Sequence, residues 1–251
     1  MKISLITAVY NRADTIQDTF DSVLAQTYQD IEYIVVDGGS TDGTLDLIRQ
    51  VEPRFQGRMR WTSRADKGLY DAMNKGIRMA TGDAVGILNS DDFFTSPDVL
   101  EQVADAFVES GAEAVYGDVH FVPTGNPDKC VRYYSSRVFR PALFRFGFMP
   151  AHPAFYVKKS CYDRFGLYSL DYQIAADFDL LVRFLYKEKI KAKYLPLDCV
   201  TMRVGGVSTE GLHSRVVLNR ESVRACRKYG IRTNLLLILF KYVYKVFELR
   251  W

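Results

Sequence analysis

The sequence VVDGGSTDGT at positions 35–44 carries an apolar run into an acid and then into a glycine-rich turn. The run begins with IEYIVV, which has the length and composition of a buried strand. Two adjacent glycines let the backbone turn tightly and leave an approach free of side chains, and the Ser-Thr-Asp that follows them can cap a helix. We therefore predict a strand that ends at Asp37, a tight turn and a helix.

Strand and helix patterns alternate in the same way through the first half of the chain. Apolar runs of strand length occur at 2–8 and 84–89, and apolar residues at helical spacing occur over 14–26 and 68–80. The alternation indicates an α/β fold with a mostly parallel central sheet and helices on both faces. Ligands of such sheets bind outside the carboxyl ends of the strands, so we expect Asp37 to face a binding site; capping of the turn is the alternative for a lone acid.

The composition is typical of a globular cytosolic protein. Hydrophobic residues make up 48% of the 251 residues, which is enough for a sizeable core. The four cysteines are widely spaced without a CxxC, which argues against a zinc ribbon and a disulfide scaffold and predicts reduced thiols. The N-terminal MKISLITAVYNR has too short an apolar run for a signal peptide, and no stretch reaches the roughly 18 apolar residues of a membrane span.

Motifs of several other enzyme classes are missing. A dehydrogenase would carry GxGxxG after the first strand, but TAVYNR contains no glycine. The GxxxxGK[ST] loop is absent, and GGSTDG departs by one residue from the GxSxG of serine hydrolases. The sequence therefore disfavours all three classes.

Positive charge is concentrated at the C-terminal end. Ten Lys and Arg and three Asp and Glu give residues 201–251 a net charge of +7, and because the whole chain carries +3, the other 200 residues carry −4. A basic tail favours an anionic surface as partner, a membrane rather than nucleic acid. A solvated helical face is the alternative.

The sequence NLLLILFKYVYKVFELRW, positions 234–251, predicts an amphipathic helix. Lys241, Lys245 and Glu248 fall at i, i+4 and i+7 and form a narrow polar stripe on an otherwise apolar helix. Its aromatic residues are of the kind found at bilayer interfaces. We expect the helix to lie on the inner face of the cell membrane as a peripheral anchor; packing against the domain is the alternative.

Polar residues also follow the apolar run at 84–89, where two adjacent acids, Asp91 and Asp92, come after Asn-Ser. Adjacent carboxylates repel each other unless a cation neutralises them, and hard oxygen ligands suit Mg²⁺ or Mn²⁺, with substrate phosphates completing the shell. The segment RADKGLYDAMNKG, positions 64–76, leads into a helix whose N-terminus favours anions. Lys67 of this segment is suited to steady a phosphate.

Four segments in this order resemble the nucleotide-sugar half of a family 2 glycosyltransferase with the GT-A fold: TAVYNR, IEYIVVDGGSTDGT, SRADKGLYDAMNKGI and ILNSDDFF. IAADFDLLVRF, positions 174–184, resembles the segment that carries the family's catalytic base. HPAFY and MRVGGVST resemble segments of its bacterial capsule, O-antigen and colanic-acid-type members. The resemblance implies a transferase domain over 1–210, with a nucleotide-sugar half at 1–120 and an acceptor and catalytic-base half at 121–210, followed by the basic helical tail at 211–251.

The resemblance implies an inverting, metal-dependent hexosyltransferase. It would use Mg²⁺ or Mn²⁺ and a nucleotide-sugar, a UDP-sugar ahead of a GDP-sugar. The implied acceptor is a saccharide linked to polyprenyl diphosphate, in the biosynthesis of bacterial surface polysaccharide or lipopolysaccharide. The alternative is a non-catalytic nucleotide-sugar-binding or scaffold protein, which would tolerate loss of the catalytic acid that this chain retains.

Residues of the nucleotide-sugar half take their implied roles by position. Asp37 matches the acid that hydrogen-bonds uracil, and Asp91 matches the metal contact of the family's Asp-x-Asp motif, with Asp92 close to the donor sugar. Asn stands where that motif begins with Asp, which leaves Asp91 as the metal ligand. The other matched positions are implied to contact the nucleotide-sugar: Ala8, Tyr10 and Asn11 around the base and ribose, Asp66 and Lys67 beside the diphosphate, and Asn89 and Ser90 in the metal motif.

In the second half, Asp177 matches the catalytic base. The family often has Glu-Asp here, whereas this chain has Ala176 before Asp177, so any role of that Glu is lost. A helix N-terminus favours the ionised acid and desolvation favours the protonated acid, so the direction of the pKa shift stays open. Four further residues are candidates for acceptor or diphosphate contacts: His152, Arg203, Ser208 and His213, of which Arg203 and Ser208 bracket a Gly-Gly turn that could close over the phosphates.

Overall fold

The structure is a computed structural model that describes residues 1–205, 211–245 and 248. Nine strands occur in these residues: β1 (Ile3–Val9), β2 (Ile31–Asp37), β3 (Met59–Ser63), β4 (Ala84–Ile87), β5 (Phe93–Phe94), β6 (Ala114–Val122), β7 (Arg132–Tyr134), β8 (Phe155–Lys158) and β9 (Ala192–Arg203). The α-helices are α1 (Ile16–Leu24), α2 (Thr44–Val51), α3 (Leu69–Met79), α4 (Val99–Ser110), α5 (Lys159–Phe165), α6 (Ala176–Leu181), α7 (Gly211–Lys228) and α8 (Leu235–Lys245). A π-helical turn, Val182–Lys187, continues α6.

The strands form one mixed sheet in the order β3-β2-β1-β4-β8-β6-β9-β5, and β7 pairs with β6. β3, β2, β1 and β4 run parallel, as the alternation of strands and helices predicted. The register pairs Val9 with Asp37 and Asp37 with Ser63, so the first three strands end at one edge. β8 is antiparallel to β4 and to β6, and it connects this parallel half to the second half of the chain.

Helices cover both faces of the sheet, which confirms the predicted α/β layering. α1, α2 and α4 pack on the face that carries Leu5 and Tyr33, and α3, α5, α6 and the tail helices pack on the face that carries Ile6 and Ile34. Neighbouring residues of a strand point to opposite faces, and these four side chains are fully buried. A strand buried on both faces is mostly apolar, which explains the apolar runs in the sequence; Ser4, Thr7 and Glu32 are buried polar exceptions in β1 and β2.

The region 123–150 contains the short strand β7 and the 3-10 helix Pro141–Phe146. β7 has three residues, too few for a periodic signal in the sequence. The four cysteines are free thiols, as predicted.

The tail helices pack on the domain. Ala225 and Cys226 of α7 and Ile238 of α8 are fully buried in the core. α8 turns Lys241, which is 8% exposed, toward the domain and leaves Leu236 80% exposed. The polar stripe of the helix therefore faces inward and its apolar face points outward. Among the described residues, no helix combines the length and the hydropathy needed to cross a bilayer.

Candidate active site

Asp37 organises the loop after β2. Its fully buried carboxylate accepts hydrogen bonds at Oδ2 from the N–H groups of Gly39 and Ser40, at 2.9 and 3.0 Å, and from the Ser63 hydroxyl, at 2.7 Å. The Ser40 hydroxyl donates to Oδ1 at 2.5 Å. Both carboxylate oxygens are engaged inside the protein, so Asp37 caps the turn and exposes no oxygen to a nucleobase.

Gly38 lies where the loops after β1, β2 and β3 meet. A Cβ added to Gly38 would lie 3.1 Å from Oδ2 of Asp66 and 3.3 Å from Cδ2 of Tyr10. The Tyr10 side chain is 60% exposed. The absence of a side chain at Gly38 therefore keeps a slot open between an exposed aromatic ring and a carboxylate.

Asn11 fastens the first of these loops to the second. Its N–H donates to the Ser40 hydroxyl at 2.8 Å, and its side-chain oxygen accepts from the N–H of Thr41 at 2.9 Å. Asn11 has a φ of 50°, a left-handed conformation that Asn tolerates better than most residues. Its side chain is used for loop geometry, which leaves the exposed ring of Tyr10 as the surface beside the slot.

The segment 64–76 carries an ion-pair network that was not predicted from the sequence. The Asp66 carboxylate pairs with the ammonium of Lys75, which also lies 3.4 Å from a carboxylate oxygen of Asp71. The N–H of Lys67 donates to Asp71 at 3.1 Å, and the Lys67 side chain is exposed. Lys75 thus neutralises Asp66, and the i, i+4 spacing of Asp71 and Lys75 was the available signal.

The turn after β4 brings two carboxylates together, with Asn89 and Arg203 beside them. Asp92 is 2% exposed; its Oδ2 accepts from the side-chain amide of Asn89 at 2.8 Å and its Oδ1 from the N–H of Arg203 at 3.3 Å. Burial, with a further contribution from Asp91, raises the pKa of Asp92 to about 8. A divalent cation would relieve this repulsion. Within the described residues, no three His, Cys, Asp or Glu side chains form a metal-binding group, so a cation at Asp91 would take further ligands from substrate.

Arg203, at the end of β9, is held against the same turn. Its Nη1 donates to the carbonyl oxygen of Asp91 at 2.6 Å, its Nη2 pairs with Asp18 of α1, and its guanidinium lies 5.1 Å from the ring centroid of Phe93. The structure therefore places Arg203, a candidate for acceptor or diphosphate contacts, beside the two acids.

Asp177 lies in the first turn of α6. Its Oδ1 accepts from the N–H of Phe178 at 2.7 Å and lies 3.4 Å from the hydroxyl of Tyr70, which donates to the carbonyl oxygen of Ile174. Burial raises the pKa of Asp177, although His152 and these hydrogen bonds act in the opposite direction. Desolvation therefore outweighs the helix terminus, which answers the question that the sequence left open.

His152 belongs to an aromatic wall near Asp177. Its Nε2 lies 2.6 Å from the hydroxyl of Tyr168, and the rings of Tyr168 and Tyr70 stack with centroids 5.7 Å apart. Burial lowers the pKa of His152, with Asp177 opposing the shift, so the imidazole is neutral near pH 7. Asn74 of α3 holds Tyr168 by exchanging two hydrogen bonds of 2.9 Å with its backbone.

Glu221 of α7 holds the chain that leads into α6. One carboxylate oxygen accepts from the N–H of Gln173 at 2.8 Å, and the other accepts from the N–H groups of Ile174 and Ala175, both at 2.9 Å. No local sequence pattern identifies Glu221, because its partners lie more than 40 positions earlier in the chain. Glu221 places a carboxylate near the start of α6, in a chain that lacks the Glu before Asp177.

The remaining candidates are distributed as follows. Ala8 is buried in β1, and Ser90 is buried with its carbonyl oxygen accepting from the Thr15 hydroxyl at 3.1 Å. His213 is exposed in the first turn of α7, and Ser208 lies outside the described residues. The structure brings Tyr10, Gly38 and Asp66 together, and it holds Asp91 and Asp92 beside Arg203. Helix α3 links the first group to Asp177, because Lys75 pairs with Asp66 and Tyr70 lies beside the Asp177 carboxylate.

Comparisons with known proteins agree on one family. A family model described as glycosyl transferase family 2 matches residues 4–161. The PGL/p-HBAD biosynthesis glycosyltransferase of Mycobacterium bovis BCG is 29% identical over 237 residues, which cover 94% of this chain and 89% of the relative.

Two solved structures share the fold. TarS 1-349 of S. aureus, in complex with UDP-GlcNAc, matches 98% of this chain and 73% of its own with a TM-score of 0.65 and 16% identity. This chain spans 44% of the longer TarS chain. The mannosyltransferase PcManGT of Pyrobaculum calidifontis, in complex with GDP-Man and Mn²⁺, matches 97% of this chain and 69% of its own with a TM-score of 0.68 and 21% identity. These likenesses confirm the predicted GT-A-type fold.

Proposed function

Because the chain belongs to glycosyl transferase family 2, we propose that it is an inverting, metal-dependent hexosyltransferase of bacterial surface polysaccharide biosynthesis. Its acceptor would be an oligosaccharide or polysaccharide linked to a lipid. The observation that carries the proposal is the Asp177 group: a partly buried carboxyl with a raised pKa, beside two tyrosines and a neutral histidine. A non-catalytic binding protein has no need for such a group.

For the donor we propose a UDP-sugar. Proteins of this fold are described with UDP-GlcNAc and with GDP-Man. Gly38 has no side chain, so a slot stays open there beside the exposed ring of Tyr10. A slot of this width beside an aromatic ring suits a planar nucleobase. We propose that Asp37 shapes this loop rather than touching uracil, and that Lys67 reaches the diphosphate from its exposed position.

Mg²⁺ or Mn²⁺ fits the turn after β4. Asp91 would hold the cation, and Asp92 would lie close to the donor sugar, with Asn89 fixing its carboxylate. The fit rests on a buried carboxylate whose pKa is raised to about 8 beside a second acid. A bound cation would neutralise charge on the departing diphosphate.

We propose Asp177 as the general base. An acceptor hydroxyl would attack the anomeric carbon from the side opposite the diphosphate, so that the carbon–oxygen bond forms as the bond to the diphosphate breaks and the configuration inverts. The proton of the hydroxyl would pass to the Asp177 carboxylate. Because burial raises its pKa, the carboxylate is a stronger base than an exposed aspartate. Tyr70 would hold the carboxylate, and His152 and Tyr168 would face the acceptor sugar.

We also propose that residues 211–251 bring the transferase domain, residues 1–210, to the inner face of the membrane. The exposed apolar residues of α8 lie at i, i+1, i+4, i+5 and i+8, so they form one face; they are Leu235, Leu236, Leu239, Phe240 and Val243. Exposed arginines of α7 lie in the same basic tail. A continuous apolar face in a basic region suits an anionic bilayer.

The membrane contact can be tested without deleting the helix. Leu236→Ser with Phe240→Ser should abolish sedimentation with phosphatidylglycerol vesicles, because both side chains are exposed and the core is untouched. Val108→Ser on α4 is the matched control, since Val108 is also an exposed apolar residue. Equal sedimentation of the double variant and the wild type would contradict the membrane proposal.

The activity is tested by release of nucleoside diphosphate from a panel of UDP- and GDP-sugars, with Mn²⁺ or Mg²⁺ and a lipid-linked acceptor. We expect turnover with one donor, lost on chelation and in Asp177→Asn. Asp163→Asn, at an exposed acid of α5, is the control and should remain active. Donor binding without turnover, unchanged in Asp177→Asn, would favour the non-catalytic alternative.

A further inference from the structure

Asp179 is a fully buried acid on α6, two residues after Asp177. Its Oδ1 accepts a hydrogen bond from the ammonium of Lys228 at 3.1 Å, and its Oδ2 accepts one from the hydroxyl of Tyr229 at 3.3 Å. Burial acts to lower the pKa of Lys228, but the bonds to Tyr229 and Asp179 raise it above its ordinary value, so the lysine is charged. A buried carboxylate that loses its cation is strongly destabilised, so Asp179 keeps this side of α6 against the end of α7.

The two acids of α6 point to opposite sides of the helix. Each residue of an α-helix is turned by about 100° from the residue before it, so Asp177 and Asp179 lie about 200° apart around the axis. Asp179 contacts Lys228 of α7, whereas Asp177 lies 3.4 Å from the hydroxyl of Tyr70 on α3. The direction in which Asp179 is held therefore sets the direction in which Asp177 points.

α6 depends on outside contacts for its orientation. It has six residues and continues into the π-helical turn Val182–Lys187. A helix this short is marginal without tertiary contacts, and a π-helical turn departs from the hydrogen-bond pattern that would extend α6 as a regular helix. The side chains that hold α6 from its neighbours therefore decide how it is rotated.

α7 contacts this part of the chain with one face. Glu221, Arg224 and Lys228 are spaced i, i+3 and i+7, which places them on the same side of the helix. Glu221 accepts from the N–H groups before α6, and Arg224 donates to the carbonyl oxygen of Asp171 at 2.6 Å and lies 4.0 Å from the ring centroid of Tyr172. These two side chains hold the segment that enters α6, and Lys228 holds the helix itself.

We propose that Asp179 is a positioning residue: its ion pair with Lys228 fixes the rotation of α6 and thereby directs the Asp177 carboxylate toward the acceptor hydroxyl. This inference rests on the proposed function and adds a pair of residues that acts through the proposed base. Among the described residues, neither Asp179 nor Lys228 forms a hydrogen bond or ion pair with the loops around Gly38. The pair should therefore affect transfer and leave donor binding unchanged.

The test measures kcat, donor KM, the pH profile of kcat and Tm for the full chain, with Mn²⁺, a lipid-linked acceptor and the donor that the wild type uses from the panel of UDP- and GDP-sugars. Asp179→Asn and Lys228→Met should each lower kcat about 10- to 100-fold, as expected for a base displaced by about 1 Å, with donor KM unchanged. Lys228→Arg keeps the cation and should retain most of the activity. Arg227→Met is the matched control, because this neighbouring exposed cation contacts Thr233 rather than α6, and it should match the wild type.

The pH profile separates a rotation of α6 from a direct effect of charge. Burial raises the pKa of Asp177, so a rotation that exposes Asp177 should move the acid limb of kcat to lower pH in both single variants. Direct electrostatics would instead lower the limb when the negative charge of Asp179 is removed and raise it when the positive charge of Lys228 is removed. Tyr70 and His152, which face Asp177, are unchanged in both variants.

The two single variants also protect the test against failure to fold. Lys228→Met leaves a buried carboxylate unpaired, but Asp179→Asn leaves Lys228 with a side chain that is 45% exposed and can reach water. A lower Tm in Asp179→Asn with kcat and its acid limb unchanged would overturn the inference, because the pair would then only stabilise the fold. Opposite shifts of the acid limb in the two variants would overturn it as well. Absence of turnover by the wild type would refute the proposed function, and this inference with it, whereas turnover that is lost in Asp177→Asn but kept in Asp179→Asn would refute this inference alone.

Discussion

Replacing Glu221 by Gln should loosen the start of α6 and displace Asp177. The carboxylate accepts three backbone N–H groups from residues 173–175 at 2.8, 2.9 and 2.9 Å. A glutamine keeps a carbonyl oxygen for two of these groups but turns its own NH₂ toward the third. The change therefore converts two charged hydrogen bonds into neutral ones and removes one.

The magnitude follows from the number of bonds. A hydrogen bond to a charged group contributes about 1.5–3 kcal/mol and one between neutral groups about 0.5–1.5 kcal/mol. Water can replace the bond to Gln173, which is exposed, so we expect a net loss of about 2 kcal/mol in the free energy of unfolding. For a chain of this length, the Tm should fall by about 4–8 °C.

The effect on catalysis should exceed the effect on donor binding. A misplacement of about 1 Å can cost about 100-fold in rate, so we expect kcat to fall about 10- to 100-fold. The KM for the donor should stay unchanged, because among the described residues no hydrogen bond or ion pair joins α7 to the loops around Gly38. The assay measures kcat, donor KM and Tm for the wild type, Glu221→Gln and the neighbouring exposed control Arg220→Gln, which should match the wild type.

Two results would refute this reasoning. If the Tm falls while kcat and its pH profile are unchanged, Glu221 only stabilises the fold, and the position of Asp177 does not depend on it. If donor KM rises as much as kcat falls, the substitution loosens the whole domain rather than one helix.

Three further predictions concern the acids and the donor slot. Asp177→Asn should lower kcat by about 10²- to 10⁴-fold, as expected for loss of a general base. In the wild type, the acid limb of kcat should lie above the usual range of an aspartate, because burial raises the pKa of Asp177; a limb near pH 4 would contradict this. The pKa of Asp92 is about 8 in the folded protein and about 3.9 in the unfolded chain, so between these pH values only the folded protein keeps the proton. The metal-free wild type should therefore lose Tm as the pH rises through that window, and Asp92→Asn should abolish the loss; superimposable Tm profiles would refute this. Gly38→Ala should weaken UDP binding about tenfold, because the new Cβ would fill the slot at 3.1 Å from Oδ2 of Asp66, while leaving Tm within about 2 °C; unchanged affinity would exclude Gly38 from the donor site.

The sequence correctly predicted which strand ends lie together, because the carboxyl ends of neighbouring parallel strands meet at the same edge of the sheet. Asp37 and Ser63 are register partners at that edge, and apolar runs of strand length are visible in the sequence. The direction of the Asp37 side chain was not predictable, because it depends on a hydroxyl from β3 and on the N–H groups of its own turn. A motif identifies which residue ends a strand, but the donors that surround it are assembled only in the fold.

The surroundings of Asp177 were less predictable, because the contacts that build them join residues far apart in the sequence. The periodicity of α8 predicts a polar stripe, and water would normally attract it, yet Lys241 faces the protein. The sequence pattern shows that the two faces of the helix differ in polarity, but tertiary contacts decide which face is buried. Glu221 carries no motif at all, since its partners are three backbone N–H groups of a distant loop.

Glu221 and Lys241 give the tail a structural role that its position at the end of the chain does not suggest. α7 fixes the chain entering α6 through Glu221, and α8 brings Lys241 within electrostatic range of Asp177. The loops after β1 and β2, where we propose that the donor binds, are joined by hydrogen bonds of Asn11 to Ser40 and Thr41, which involve neither α7 nor α8. Contact of α8 with a bilayer would therefore act on the base and the acceptor while leaving nucleotide binding unaffected. If the proposed membrane contact and the proposed base are correct, such a transferase would bind its donor in solution but transfer efficiently only at the membrane, because the same tail helices would meet the lipid and hold the segment that carries Asp177.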